Sequence, residues 1–177
     1  MLDIPCGTAF WLSAYAPAVE RIVLIDQAAG MLAEARQRAR SLGVESRCAF
    51  VRGNVLTQPL EAQAFDSMLV GFFLSHTDRV DEAAFFRQLR HSLRPEGTVL
   101  VLDSIWNAQR PHAKEGIVPR AVKDGRRFEV YKRYFDARDL EQMALTYGFD
   151  CNVRHTGRTF IAATFTLPPL GATYTSP

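Results

Sequence analysis

The chain reads as an α/β fold: a doubly wound, mostly parallel sheet that ends in a C-terminal antiparallel hairpin. Three observations predict it. Short apolar runs alternate with stretches of helical periodicity, as strand–helix units around a parallel sheet require. A loop of small residues, LDIPCGTAF at 2–10, follows an apolar run and opens a helical pattern, where open α/β sheets place a ligand. Two last apolar runs, 149–154 and 159–165, face each other across a turn at His155–Arg158.

Met1 to Pro5 reads as the end of a first strand, and Ala9 to Ala16 as the helix after it, stopped by Pro17. Arg21 to Ile25 is a short buried strand. Gln27 to Leu42 carries Met31, Leu32, Ala35 and Ala39 at helical spacing, with Gly43 capping its end. Cys48–Arg52 and Phe65–Gly71 are the third and fourth strands. Over Asp81 to Leu93 the apolar stripe is Phe85, Phe86, Leu89 and Leu93, while Arg87, Arg90 and Arg94 face water. Pro95, Glu96 and Gly97 turn the chain into Thr98–Asp103, a fully apolar central strand. Residues 105–126, polar and punctuated by Pro111, Gly116, Pro119 and Gly125, read as an excursion loop over the ligand edge. Arg127 to Phe135 alternates as an extended arm, and Ala137 to Tyr147 is a last helix ended by Gly148. Residues 1–166 form one domain, and 167–177 read as a disordered tail.

Composition narrows the function. The 177 residues are 47% hydrophobic and 23% charged, ordinary for one globular domain. A net charge of +2 is too weak to argue for nucleic acid. No apolar stretch approaches the ~20 residues of a membrane span, and no leader pattern is visible at the start. Cys6, Cys48 and Cys151 are scattered, with neither metal-ligand spacing nor a disulfide framework. The expected site is cytoplasmic and metal-free.

Two ligand patterns compete for the 2–10 loop. A dinucleotide site wants G-x-G-x-x-G, its last glycine allowing close helix packing; here those positions are Pro5, Gly7 and Phe10, and Phe10 blocks the approach. The pattern acidic-x-G-x-G-x-G reads instead as Asp3, Pro5, Gly7 and Ala9. A carboxylate at the loop's base repels a pyrophosphate and attracts an ammonium. In this form LDIPCGTAF resembles motif I of class I, Rossmann-like, S-adenosylmethionine-dependent methyltransferases. VLIDQAAGMLAEAR (23–36), VRGNVL (51–56), FDSMLVGFFLSHTD (65–78), LRPEGTVLVLDS (93–104) and GFDCNVRHTGRTFIAATF (148–165) resemble the motifs that follow, in order.

The resemblance implies a cofactor site of Asp3, Pro5, Cys6, Gly7, Thr8, Ala9, Asp26, Gln27, Met31, Asn54, Val55 and Phe72, with S-adenosyl-L-methionine as cofactor. Asp26 stands 23 residues after Asp3, where the family holds two ribose hydroxyls; one carboxylate can accept from both. Asn54 replaces the usual acidic residue of the third motif, and its carbonyl can still accept from the adenine amino group. Val55 lies against the adenine. Phe72 and Phe73 wall the cofactor or belong to the core.

His76, just past the fourth strand, is the candidate general base; the bland alternative is a helix cap or a lining residue. Ser75 holds the methionine carboxylate or ends a strand. Asp103 faces the acceptor or bonds backbone. Arg120, Lys123, Arg126, Arg127, Lys132 and Arg133 grip an acidic acceptor or, as the favoured reading, form a solvated face. Tyr131 and Tyr134 share that arm. Cys6 is a packing residue.

The resemblance covers 2–166 and departs at two points. Members carry helices before the first strand, and those N-terminal helices are missing here. Met1 stands where the family has Val or Leu, as if a GTG valine codon had been read as a start. The run Phe72–His76 lacks the Asn/Asp-Pro-Pro-aromatic or Pro-Cys motif of enzymes that methylate DNA bases. The leading expectation is therefore methyl transfer to a small-molecule acceptor, with no DNA or membrane partner. Behind it stand a non-catalytic methyltransferase-like module and, third, a nicotinamide-dependent oxidoreductase.

Overall fold

The computed structural model describes residues 1–109, 113–122 and 124–169. Pro111 of the expected loop, Lys123 of the basic cluster and 170–177 of the expected tail lie outside the described residues.

The strands are β1 (Leu2–Asp3), β2 (Ile22–Asp26), β3 (Cys48–Arg52), β4 (Phe65–Gly71) and β5 (Leu93–Ser104), then β6 (Glu115–Ala121), β7 (Arg127–Arg133), β8 (Asp150–Thr156) and β9 (Phe160–Thr166). The helices are α1 (Leu12–Tyr15), α2 (Ala29–Ser41), α3 (Arg79–Ser92) and α4 (Ala137–Thr146). A seven-stranded sheet has the order β3-β2-β1-β4-β5-β9-β8. Its first five strands in that order pair in parallel, whereas β9 is antiparallel to both β5 and β8. The chain winds outward from β1 to β3, then returns past β1 to lay down β4. The order reverses between β1 and β4, and there two loops part at the carboxyl edge.

Burial on both faces explains the apolar runs. Ile22 and Leu24 pack with Leu12, Leu32, Ala35 and Ala39 of α1 and α2. On the other face Leu2, Ile4, Ile25, Met68, Val70, Val99 and Val101 meet Phe85, Phe86 and Leu89 of α3 and Leu140 and Met143 of α4. Phe86 stacks on Tyr147 with ring centroids 4.4 Å apart.

Helix ends follow local chemistry. The Asp78 carboxylate accepts from the Val80 and Asp81 amides, each at 2.9 Å, which is worth about 1 kcal/mol at a helix start. Asp136 and Asp139 form a reciprocal capping box on α4, and Lys114 bridges both, at 2.8 and 2.6 Å. Gly43 ends α2 at a φ of +69°, which glycine adopts without steric cost.

Four expectations need correction. The helix expected from Ala9 is only Leu12–Tyr15, because Gly7 and Ala9 both take a φ of +53°. Residues 95–97 do not separate two elements; they are an irregularity within β5, with Glu96 at a φ of +61°. The stretch 105–126 is not all loop, since β6 pairs with β7 as a separate two-stranded sheet. His155 and Thr156 belong to β8, so the last turn is shorter than expected.

The favoured solvated reading of the basic cluster fails at Lys132 and Arg133, which are 4% and 2% exposed. Arg133 donates to the Leu74 carbonyl at 2.9 Å and to the Glu82 carboxylate. Glu82, also buried, accepts from the Tyr147 hydroxyl at 2.9 Å. The arm is thus tied to α3 and to the end of β4 by a buried ion pair. Arg120, Arg126 and Arg127 are exposed, as expected.

Breaking a buried pair from one side strands the other charge. Glu82→Ala should therefore lower unfolding free energy by about 3–5 kcal/mol, read from urea midpoints. Glu82→Leu combined with Arg133→Met should recover most of the loss. Wild-type stability in the single variant would remove the pair from the fold's supports.

Candidate functional site

The carboxyl ends of the parallel strands gather the expected residues along one edge. Asp3 ends β1, in register with Leu24 of β2 and Leu69 of β4. The loop after it is held from both sides, by Ile4 N–H to the Leu69 carbonyl at 3.0 Å and Cys6 N–H to the Ile25 carbonyl at 2.8 Å. Gly7 donates its amide to Asp26 Oδ2 at 2.9 Å, while Asp26 Oδ1 accepts from Ala28 N–H at 2.8 Å. One carboxylate therefore ties the β1 loop to the start of the β2–α2 turn. A Cβ built on Gly7 would meet nothing within 4 Å, so glycine serves there for its backbone angle and an open approach. Ala9 holds the same angle while fully buried, which costs about 1–2 kcal/mol relative to a right-handed conformation.

Asp3 is 3% exposed and accepts from the Tyr15 hydroxyl at 2.7 Å. Burial raises its pKa to about 7; the Tyr15 bond pulls the other way and nearby Asp26 adds to the rise. Tyr15 was not among the expected residues, and twelve positions separate it from Asp3. Its only signal is that its hydroxyl, on a largely apolar helix face, needs a partner. The Cys6 thiol is pushed up by burial first and by Asp3 and Asp26 next, and it donates to the Gly7 carbonyl at 3.5 Å. That fits packing rather than reactivity.

Gln27, Met31, Asn54 and Phe72 are exposed. Asn54 Oδ1 accepts from Leu56 N–H at 2.9 Å, using one of its lone pairs on the local turn. The Val55 side chain is turned into the core. Phe72 sits at a φ of +53°, its amide bonded to the Leu102 carbonyl at 2.7 Å. Phe73 packs against Phe85 with centroids 4.9 Å apart, the core role.

Past Phe73, residues 74–76 form one tight turn. Ser75 is fully buried, and its N–H donates to Asp103 Oδ2 at 2.9 Å. Asp103 Oδ1 accepts from Ser104 N–H at 2.6 Å, so Asp103 binds backbone and does not face out. His76 Nδ1 lies 3.0 Å from the Tyr131 carbonyl. A carbonyl only accepts, so Nδ1 carries the proton and Nε2 is the open base. Lys132 Nζ stands 3.3 Å from that Nε2 and donates to Ser75 Oγ at 2.6 Å. The His76 pKa is lowered by burial, then by Lys132. Tyr131 turns its hydroxyl to Glu115 at 2.6 Å. Tyr134 is buried beside Trp106.

The edge holds a buried carboxylate at its base, an open glycine turn and an acidic residue one strand over. The family model described as a methyltransferase domain matches residues 1–97, more than half of the chain. The chain belongs to that methyltransferase domain family. Demethylmenaquinone methyltransferase of Bacillus cytotoxicus is 30% identical over 106 residues, covering 58% of this chain and 44% of that protein. Its counterpart from Bacillus cereus is 29% identical over the same shares. The chain thus spans less than half the length of these curated relatives. Among solved structures, the DhpI–SAH complex superposes with a TM-score of 0.78 at 24% identity, covering 95% of this chain and 76% of that one. A SAM-dependent methyltransferase from Methanosarcina mazei gives 0.74 at 16%, covering 94% and 92%. These likenesses bear out the class I methyltransferase fold. Among the described residues there is no His/Cys/Asp/Glu cluster fit for a metal, and no helix is long and apolar enough to cross a membrane.

Two outcomes follow for this family member's loop. Asp26→Ala leaves the Gly7 and Ala28 amides without their acceptor, at about 1–3 kcal/mol; hydrogen exchange at the Gly7 amide should accelerate accordingly. Unchanged protection there would break the clamp. Asp3 has its folded pKa raised from 3.8 to about 7, so the native state binds more protons than the unfolded state between those values. Its contribution to stability is full below pH 4 and falls as pH rises toward 7. Asp3→Asn should flatten that part of the melting profile, and an identical profile would overturn the assignment.

Proposed function

We propose that the chain is an S-adenosylmethionine-dependent methyltransferase acting on a small-molecule acceptor. The observation that carries the proposal is the loop at 3–9: its left-handed Gly7 and Ala9, clamped to Asp26, lie next to a buried carboxylate at the sheet's switch point. When bound, S-adenosylmethionine supplies a methyl group on a positively charged sulfur, open to in-line displacement.

In this reading the chain's own residues position and shield. Asp3 holds the ammonium of the methionine part, and the Pro5–Ala9 turn lets it approach the backbone. Asp26 keeps one lone pair on each oxygen beyond its two amide bonds, enough for the ribose hydroxyls. Gln27, Met31, Asn54, Val55 and Phe72 border the adenine, Val55 through its backbone. Positioning alone accounts for about 7–11 kcal/mol of such a barrier, so no strong base is required. Where the acceptor has a proton to lose, His76 Nε2 is the group to take it, once Lys132 moves off its lone pair. In this reading the acceptor is a small molecule rather than DNA, and three unpaired thiols suit a cytoplasmic setting.

The second reading, a methyltransferase-like binding module, is favoured by the same Lys132 contact, which covers the candidate base. Turnover separates the two readings.

S-adenosylhomocysteine titrated into the chain by calorimetry should bind in the micromolar range, and NAD should not bind. Asp3 must ionise to hold an ammonium, so affinity should rise with pH by up to about tenfold per pH unit below 7 and level off above it. Binding of NAD alone, or of neither ligand to the folded chain, would sink the proposal. A pH-independent affinity would take Asp3 out of the site.

A further inference from the structure

Lys132 is a basic residue that the fold keeps from water. A lysine near a surface ordinarily extends its ammonium into solvent. Here β7 carries Lys132 beneath the arm, 4% exposed, with Nζ 2.6 Å from Ser75 Oγ and 3.3 Å from His76 Nε2. The Tyr134 ring lies 5.7 Å from Nζ. Ser75 and His76 belong to the turn directly after β4, at the same carboxyl edge as Asp3 and Asp26. That turn is itself anchored: Asp103 receives Ser75 N–H, and the Leu74 carbonyl accepts from Arg133. The turn that Lys132 contacts is therefore held in place from two sides.

A cation in a low-dielectric wall concentrates anions. Arg120 on β6 acts on the same spot: both it and Lys132 disfavour a proton on His76, against Asp103 and the Tyr131 carbonyl. The ring's Nε2 lone pair faces the ammonium, so an arriving anion would be held by Lys132 and the Ser75 hydroxyl, and His76 Nε2 would donate to it only after taking up a proton.

We propose that Lys132, with Ser75 and His76, forms an oxyanion pocket at the mouth of β4, and that the methyl acceptor carries a carboxylate or phosphoryl-type group bound there. The proposal rests on the methyltransferase reading for the word acceptor; the pocket itself does not depend on it. Lys132 is a specificity-determining residue, and Arg120 strengthens the field without contacting the ligand.

The test is a calorimetric titration of inorganic phosphate and of acetate into the full chain saturated with S-adenosylhomocysteine, with glycerol as the neutral control. Wild type should bind at least one anion saturably and glycerol not at all; the tighter anion tells phosphoryl from carboxylate chemistry. Lys132→Met should weaken that anion about tenfold or more, the worth of one charge-assisted hydrogen bond. Lys132→Arg should keep most of the affinity, and S-adenosylhomocysteine should bind all three proteins alike. If S-adenosylhomocysteine fails to bind, the methyltransferase reading fails, and the same anion titrations into the unliganded chain still decide the pocket. Should Lys132→Met not fold, the imidazole resonance of His76 in wild type decides instead, by a saturable shift on phosphate addition. Anion affinity equal in wild type and Lys132→Met, binding of neither anion, or a His76 resonance indifferent to phosphate would overturn the proposal.

Discussion

A parallel sheet closes only through crossovers, and the reversal of strand order between β1 and β4 is the constraint on which the site depends. On either side of that reversal the chain leaves in opposite directions, so the loop after β1 and the turn after β4 cannot fill the space between them. Every candidate group lies along the resulting edge. Burial on both faces makes the arrangement rigid, with Phe85, Phe86 and Leu89 below and Leu12, Leu32 and Ala35 above.

Two carboxylates at this edge do different work because their surroundings differ. Asp26 accepts two backbone amides and in doing so fixes the shape of the 3–9 loop. Asp3 sits deeper with one hydroxyl donor, and burial pushes its pKa to about 7. An acid held near neutrality at the base of a ligand loop responds to the charge of what binds there: a cation favours its ionisation, an anion opposes it. The acidic-x-G-x-G-x-G pattern survives two substitutions for a related reason. What the loop needs is a left-handed angle at positions 7 and 9, and Ala9 supplies one at a modest steric cost because its methyl packs in the core.

Much of the fold was legible where local pattern and tertiary burial agree. Cys48–Arg52 and Phe65–Gly71 are strands to the residue, because strands buried between layers are short and bounded by turn residues. Legibility failed where backbone angle or a distant partner decides. The helix after β1 starts late because of two positive φ values that no periodicity reports. β6, EGIVPRA, carries Gly, Pro and a single buried residue, Val118, so it has neither run nor alternation of apolar side chains. Lys132 and Arg133 read as solvated because charge is normally outside; what draws Arg133 in is Glu82, 51 positions away. Of the site, the glycine turn and both carboxylates could be read from residue type and spacing. Tyr15 could not, since it is defined by a contact that only the fold creates; Lys132 stood among the candidates for an acidic acceptor, but its burial could not be read.

That last failure bears on what the arm is for. A hairpin serving only as a cover needs apolar contacts, and β6 supplies few of them. β7 instead sends two adjacent cations inward, one to each side of the β4 turn's business: Arg133 to its carbonyl and to Glu82, Lys132 to its hydroxyl and imidazole. Adjacent residues on a strand point to opposite faces, so a single extended segment both anchors the arm and charges the mouth. The buried ion pair of Arg133 with Glu82 holds the strand at the position next to Lys132. Lys132 and Arg133 thus join the arm to the β4 turn at neighbouring positions, and the Tyr131 carbonyl bonded to His76 lies just before them on the same strand.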